Sequence, residues 1–310
     1  MDEKTIMTAY RNQGCSYREQ ITPGAASQTV LEYLSRHYPH STAAEWQDNI
    51  NAGLVLLDDR PAAPDSRLAP GARLVWHRPA WIEPPAPRSF GICHEDADLL
   101  AVTKPAGLPT LPGAGFHAST LLHLVQQYCP QAAPLHRLGR WTSGLVLCAK
   151  TATARSSMMR QWSARQVVKR YRALASGTLV EQQLTITTPI GPVDHPLLGS
   201  VHGACPDGKP AHSVVTVLEQ RPGQFLCEVL ISTGRPHQIR IHLAAAGHPL
   251  AGDPLYGSRG LPLPASTALP GDPGYHLHAA ELGFLHPVSG TAMTLHSPPP
   301  PILQPGYKTG

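Results

Sequence analysis

At 310 residues with 42% hydrophobic side chains, the chain is long enough to bury one large core or two domains of unequal size. Its formal net charge is +4, no stretch approaches the roughly 18 uninterrupted apolar residues of a membrane helix, and Met-Asp-Glu-Lys-Thr at the start leads into no apolar signal segment. Six scattered cysteines without a Cys-x-x-Cys pair argue against a zinc knuckle and a disulfide framework, so a reduced, cytoplasmic protein with no membrane partner is expected.

In chain order, residues 1–20 carry little pattern and read as a flexible arm. Val30, Leu31, Leu34 and Tyr38 recur at helical spacing, Pro39 stops that helix, and Ser41 or Thr42 can cap a second helix bearing Trp46 and Ile50. A strand over Leu54–Leu57, a turn at Asp58-Asp59 and a strand over Arg73–Trp76 complete a small module spanning 21–78. Four prolines between His77 and Pro87 remove backbone donors and fix φ, so 79–90 is expected to be a semi-rigid linker. From there to 310 the pattern is that of one larger domain. It opens with an apolar strand ending in Lys104-Pro-Ala-Gly and continues with an amphipathic helix over Thr120–Tyr128. The run Leu145–Ala149 is a buried strand, Thr151–Gln166 is a helix, and Val167–Leu174 and Gln224–Ser232 are strands. Residues 195–208 and 258–274, rich in Gly and Pro, read as excursions from the sheet.

Charge is unevenly distributed. From Leu99 through Val180 there is no Asp or Glu, while Lys104, Arg137, Arg140, Lys150, Arg155, Arg160, Arg165, Lys169, Arg170 and Arg172 fall inside. A single-signed segment of that length suggests a polyanion partner, because neutralised phosphates supply most sequence-independent nucleic-acid affinity. Inside it lies His136-Arg-Leu-Gly-Arg-Trp-Thr-Ser-Gly144, a basic loop leading straight into a buried strand, the kind of position where functional residues concentrate.

That loop resembles the catalytic loop of the RluA-type RNA pseudouridine synthases, which convert uridine in structured RNA to its C-glycosidic isomer. Four further blocks agree in order: Lys104-Pro-Ala-Gly, Lys169-Arg-Tyr171-Arg-Ala, Gly234-Arg235-Pro-His237-Gln-Ile-Arg240-Ile-His242-Leu through Gly252-Asp253-Pro-Leu-Tyr256-Gly, and Leu277-His278-Ala with Phe284-x-His286-Pro. The pattern Trp46-x-x-x-Ile50-x-x-Gly53-x-Val55 is similar to the RNA-binding module that a small-ribosomal-subunit protein shares with many such synthases. The resemblance implies an α+β fold: a bipartite, mainly antiparallel sheet with flanking helices and a central cleft, preceded by the small RNA-binding module. It implies a structured RNA substrate, ribosomal or transfer, a flipped uridine, no DNA, no cofactor, no metal and a monomer.

Isomerisation breaks the N1 glycosidic bond, turns the freed base, rejoins it through C5 and removes the C5 proton. A carboxylate suits the first step, and a phenol beside the base suits the last. By resemblance Tyr171 is that phenol and Arg235 the arginine that partners the carboxylate. His136, Arg137, Arg140, Thr142, Ser143, Lys104, Arg165, Lys169, His237 and Arg240 then face RNA. The family's aspartate falls on Gly139, which has no side chain to react. Asp194, Asp207 and Asp253 are the candidate surrogates, with Asp253 also readable as structural, and Arg235 is expected to have found another acceptor. The alternative is a catalytically silent relative that binds RNA, for example during ribosome assembly.

Two further patterns fail. Gly203–Lys209 has phosphate-loop spacing, but Pro210 stands where a magnesium-binding hydroxyl must be. His237 and His242 are spaced by five, which does not put two ligands on one helical face.

Overall fold

The computed structural model describes residues 7–307, which divide into two compact units, 9–83 and 84–307 with residues 7 and 8. The small unit contains β1 (Thr8–Arg11), β2 (Cys15–Gln20), α1 (Val30–His37), α2 (Ala43–Asn51), β3 (Val55–Leu57), β4 (Arg60–Pro61) and β5 (Arg73–Arg78). Both helices start at capping boxes. Thr29 and Thr42 accept the amides of Glu32 and Glu45, whose carboxylates reach back to the threonine amides. Val30, Leu34, Trp46 and Ile50 pack with Val55 and Leu74 beneath the sheet order β2-β5-β3-β4.

The arm expected over residues 1–20 is corrected where the chain is described. Cys15–Gln20 is a full antiparallel strand along β5, from Cys15 opposite Arg78 to Gln20 opposite Arg73. It escapes pattern reading because none of its residues is buried: the ladder and the stacking of Tyr17 on Trp76 (5.5 Å) hold it, not an apolar face. Residues 1–6 lie outside the described part. The proline-rich stretch is likewise not a plain linker, since Ile82–Ala86 is an extended strand, β6, of a two-stranded sheet, a setting that tolerates proline.

The large unit is built on a ten-stranded sheet. Its members include β7 (Gly91–Glu95), β8 (Leu99–Lys104), β9 (Ala133–Pro134), β10 (Ser143–Ala149), β11 (Val168–Ser176) and β12 (Gln183–Ile186). A separate hairpin, β13 (Ile190–His195) with β14 (Gly199–Ala204), follows. The sheet is completed by β15 (Ser213–Arg221), β16 (Gln224–Ile231), β17 (Leu277–Leu285) and β18 (Ala292–His296), and α3 (Leu121–Tyr128), α4 (Ala152–Ser163) and α5 (Gln238–Ala245) flank it. The main order is β12-β15-β16-β11-β17-β10-β8-β7. Every pairing along it is antiparallel except β10 with β17, so the fold is α+β with a mainly antiparallel sheet. The excursion expected over 195–208 thus contains the second strand of a hairpin, with Gly203 opposite Gly191 and too close to the Val193 side chain to carry a Cβ without a shift.

The central strands are buried on both faces. Leu99–Val102 of β8 and Leu145–Cys148 of β10 are fully inaccessible, and Met158 and Ala154 of α4 pack on one side of them. Leu121 and Val125 of α3 cover the other side. Gly144 is where the functional loop enters this sheet. Its φ is +108°, and a Cβ there would lie 2.2 Å from the carbonyl oxygen of Ala279 on β17. Only glycine allows β10 to approach β17 this closely. Gly144→Ala is therefore expected to lower unfolding stability by more than about 2 kcal/mol, read from the denaturant midpoint, by combining backbone strain with a backbone clash.

Candidate active site

The loop that resembles the catalytic one is fixed from below by Lys104. This side chain is wholly buried at the end of β8, and its ammonium donates to the carbonyl oxygens of Pro105 (2.9 Å), Leu108 (2.8 Å) and Arg140 (3.0 Å). Burial, with the nearby Arg140 cation, pushes its pKa down to about 7. Lys104 cannot meet a phosphate, as the sequence suggested, because all three of its donors are spent inside the protein. Arg140 is similarly committed. Its Nε donates to Gly107 and a terminal nitrogen to Pro85, while its guanidinium lies over Phe116 (4.6 Å). The amide of Gly107 answers with a bond to the Arg140 carbonyl, so the two loops are stitched together.

His136 also serves the scaffold. Its Nε2 accepts the amide of Leu147 at 3.0 Å and its ring packs against Trp162, an arrangement that burial keeps neutral with a pKa near 4. The amide of Thr142 bonds the carbonyl of Gly139, closing a tight turn over residues 139–142. Ser143 donates to Nδ1 of His278, whose Nε2 bonds the Ser297 carbonyl and therefore carries the ring proton. These residues hold the loop; Arg137 alone among its cations projects outward, with no partner among the described residues.

The strand register sets Tyr171 beside this loop. Ala279 on β17 pairs with Gly144 on one side and with Tyr171 of β11 on the other. The Tyr171 ring packs between two apolar clusters, burial pushes its pKa up to about 12, and its hydroxyl makes no hydrogen bond among the described residues. Lys169, two residues earlier, is half-buried with its ammonium 3.5 Å from the Thr233 carbonyl. Burial and the charge of Arg165 lower its pKa; Arg165 itself is exposed just after α4.

The block around α5 is mainly a structural lock. Gln238 accepts from the Arg235 amide and the Thr233 hydroxyl and donates to His212 and Ser213. Arg240 is a bidentate partner of Asp253 at 2.6 and 2.8 Å, with both side chains buried and a third bond to the Pro270 carbonyl. Arg240 therefore cannot be an RNA contact, and Asp253 cannot replace the missing carboxylate, because breaking that pair would strand a buried charge. Tyr256 donates to the His202 carbonyl, so Nδ1 of His237 must donate to Tyr256, and burial holds His237 neutral near pKa 4. Arg235 is half-buried; its Nε donates to the Pro210 carbonyl at 3.0 Å, and its acceptor is therefore a backbone oxygen rather than a carboxylate. Asp194 and Asp207 are exposed on and beside the β13–β14 hairpin.

Gly139 is exposed and needs no unusual backbone angle. A Cβ built on it would sit 3.3 Å from the hydroxyl of Tyr275 and 3.4 Å from that of Thr142. Tyr275 is a site residue that sequence reading missed. It lies at the end of the glycine-rich 258–274 stretch, two residues before β17, and only the fold brings it to the loop. The span lacking acids is also less positive than its sequence, since Lys150 pairs with Glu95, Arg170 with Glu228 and Glu281, and Arg172 with Glu228. Arg137, Arg155, Arg160 and Arg165 keep no carboxylate partner among the described residues.

The geometry agrees with three comparisons. The family described as RNA pseudouridylate synthase matches residues 98–245. An RNA pseudouridine synthase of Synechocystis sp. is 40% identical over 283 residues, covering 90% of this chain and 97% of its own. RNA pseudouridine synthase 5 of Oryza sativa is 38% identical across 94% of this chain and 89% of its own, and ribosomal large subunit pseudouridine synthase D of Neisseria meningitidis is 36% identical across 89% and 76%. Among solved structures, human RNA pseudouridylate synthase domain containing 1 superposes with a TM-score of 0.54 at 25% identity, covering 70% of this chain and 87% of that one. The chain belongs to the RNA pseudouridine synthase family, as an RluA-type member.

His136, His237 and His278 are each held near pKa 4, against an ordinary value of 6.5. Between those values the unfolded chain binds protons that the folded chain does not, so their contribution to stability is complete above pH 6.5 and is lost as pH falls towards 4. The urea midpoint should drop across that window, and His136→Gln should drop less steeply than wild type over the same range.

Proposed function

We propose that the chain isomerises uridine to pseudouridine in a structured RNA, ribosomal or transfer, after extruding the target base. The observation that carries this is the Tyr171 hydroxyl: half-buried, unpartnered and one strand from the loop that holds Gly139. A hydroxyl without a protein partner at such a place is available to a base edge or to relay a C5 proton. Arg137 and the free end of the Arg235 guanidinium are the cations available for phosphates flanking the flipped nucleotide. The names of the relatives, RNA and ribosomal large subunit pseudouridine synthases, support the same class of substrate.

The small unit supports RNA contact independently. Tyr17, half-exposed, stacks on Trp76, His40 stacks on the same indole at 5.9 Å, and the Arg78 guanidinium lies 3.7 Å over Trp81. Aromatic faces interleaved with a cation form a platform on which unpaired bases stack without sequence preference.

Pseudouridine mapping of RNA from cells with and without the gene tests the reading. At least one uridine should be modified only when the gene is present. Identical maps would reduce the protein to a binder of RNA.

A further inference from the structure

The chemistry of the proposed reaction needs a group that bonds C1′ while the base turns, and Gly139 has none. We infer that the phenol of Tyr275 is the nucleophile at this site, standing in the space that Gly139 leaves open; the inference rests on the isomerase reading above.

No apolar atom lies within 4 Å of the position a Cβ at Gly139 would take. The two atoms nearest to a side chain placed there are both hydroxyl oxygens, Tyr275 Oη and Thr142 Oγ1. Neither makes a hydrogen bond among the described residues, although Tyr275 is only 5% exposed and Thr142 is 5% exposed. The ring of Tyr275 and the methyl group of Thr142 are buried while their hydroxyl oxygens reach solvent at the same edge of the turn, where a substrate can meet them. The Tyr275 ring is also fixed. Arg240 lies 4.3 Å from its centroid, with its charge offset by Asp253, and Trp141 packs against the same cluster as Tyr275 and Tyr171. Arg240 further holds the Pro270 carbonyl, which ties down the segment leading to Tyr275. A phenol that cannot swing away is preorganised for attack, and tyrosine nucleophiles replace carboxylates in other glycosyl chemistry.

The step balances without a co-reactant. The phenol oxygen bonds C1′ as the C1′–N1 bond breaks, the electron pair leaves with the uracil, and the phenol proton passes to N1. The base then turns, C5 bonds C1′ and displaces the phenolate, and the C5 proton returns to that phenolate. The product carries hydrogen on N1 and a carbon link at C5, and Tyr275 is restored.

The test uses full-length protein and total RNA from cells lacking the gene. Tyr275→Phe should slow pseudouridine formation by roughly 100-fold or more while RNA affinity changes less than about threefold, and Gly139→Asp in that background should recover part of the rate. If wild type forms no pseudouridine, the isomerase reading falls first. If wild type is active and Tyr275→Phe stays within about tenfold of it, or loses RNA affinity in parallel, Tyr275 is not the nucleophile. Should the phenylalanine variant not fold, a fluorinated tyrosine placed only at 275 decides the matter. Its more acidic phenol should move the acid limb of the pH–rate profile to lower pH, and an unmoved profile overturns the inference.

Discussion

Three carbonyl oxygens, from Pro105, Leu108 and Arg140, converge on the buried ammonium of Lys104, and the candidate site is shaped by that convergence. A cation so deep in the protein is tolerated only because each of its protons has an acceptor. Removing the side chain would leave the Pro105 and Leu108 carbonyls without a donor and cut the tie from β8 to the Arg140 carbonyl, which lies in the turn that carries Gly139. The loop therefore keeps its form independently of what residue 139 is. That is how a site can lose a side chain at its centre and remain a site.

A second constraint works from the other edge. The parallel pairing of β10 with β17, possible because Gly144 lacks a Cβ, places Ala279 between Gly144 and Tyr171 and aims the chain before β17 at the turn over 139–142. Tyr171, on β11, and Tyr275, just before β17, thus reach one apolar cluster from segments that are far apart in sequence. Their hydroxyls, with that of Thr142 and the indole nitrogen of Trp141, have no hydrogen-bond partner among the described residues, whereas His136, Ser143, His237, Gln238, Arg240 and His242 are all bonded internally.

The family blocks were legible in the sequence because they combine rare residue types at fixed spacing, and apolar runs such as Leu145–Ala149 named the buried strands. Which of their polar residues face a ligand was not legible. Lys104, His136 and Arg240 read as RNA contacts because a cation in a motif carries no mark of being buried; only the convergence of carbonyls and of Asp253 on them reveals it. Likewise Asp253 looks available until Arg240 is seen to hold both its oxygens. Tyr275 was invisible for the opposite reason, since it sits outside every motif and becomes relevant through one contact with a glycine. The strand Cys15–Gln20 was missed because a ladder with neither face buried leaves no hydrophobic period.

The central claim is that a site without a carboxylate at 139 still performs the isomerisation. It is tested most directly by purified protein acting on RNA labelled with tritium at C5 of uridine, drawn from cells lacking the gene. Exchange of the C5 hydrogen accompanies formation of the carbon glycoside, so tritium should pass to water with multiple turnovers per protein. No release above a protein-free control, with the RNA bound, would contradict the account.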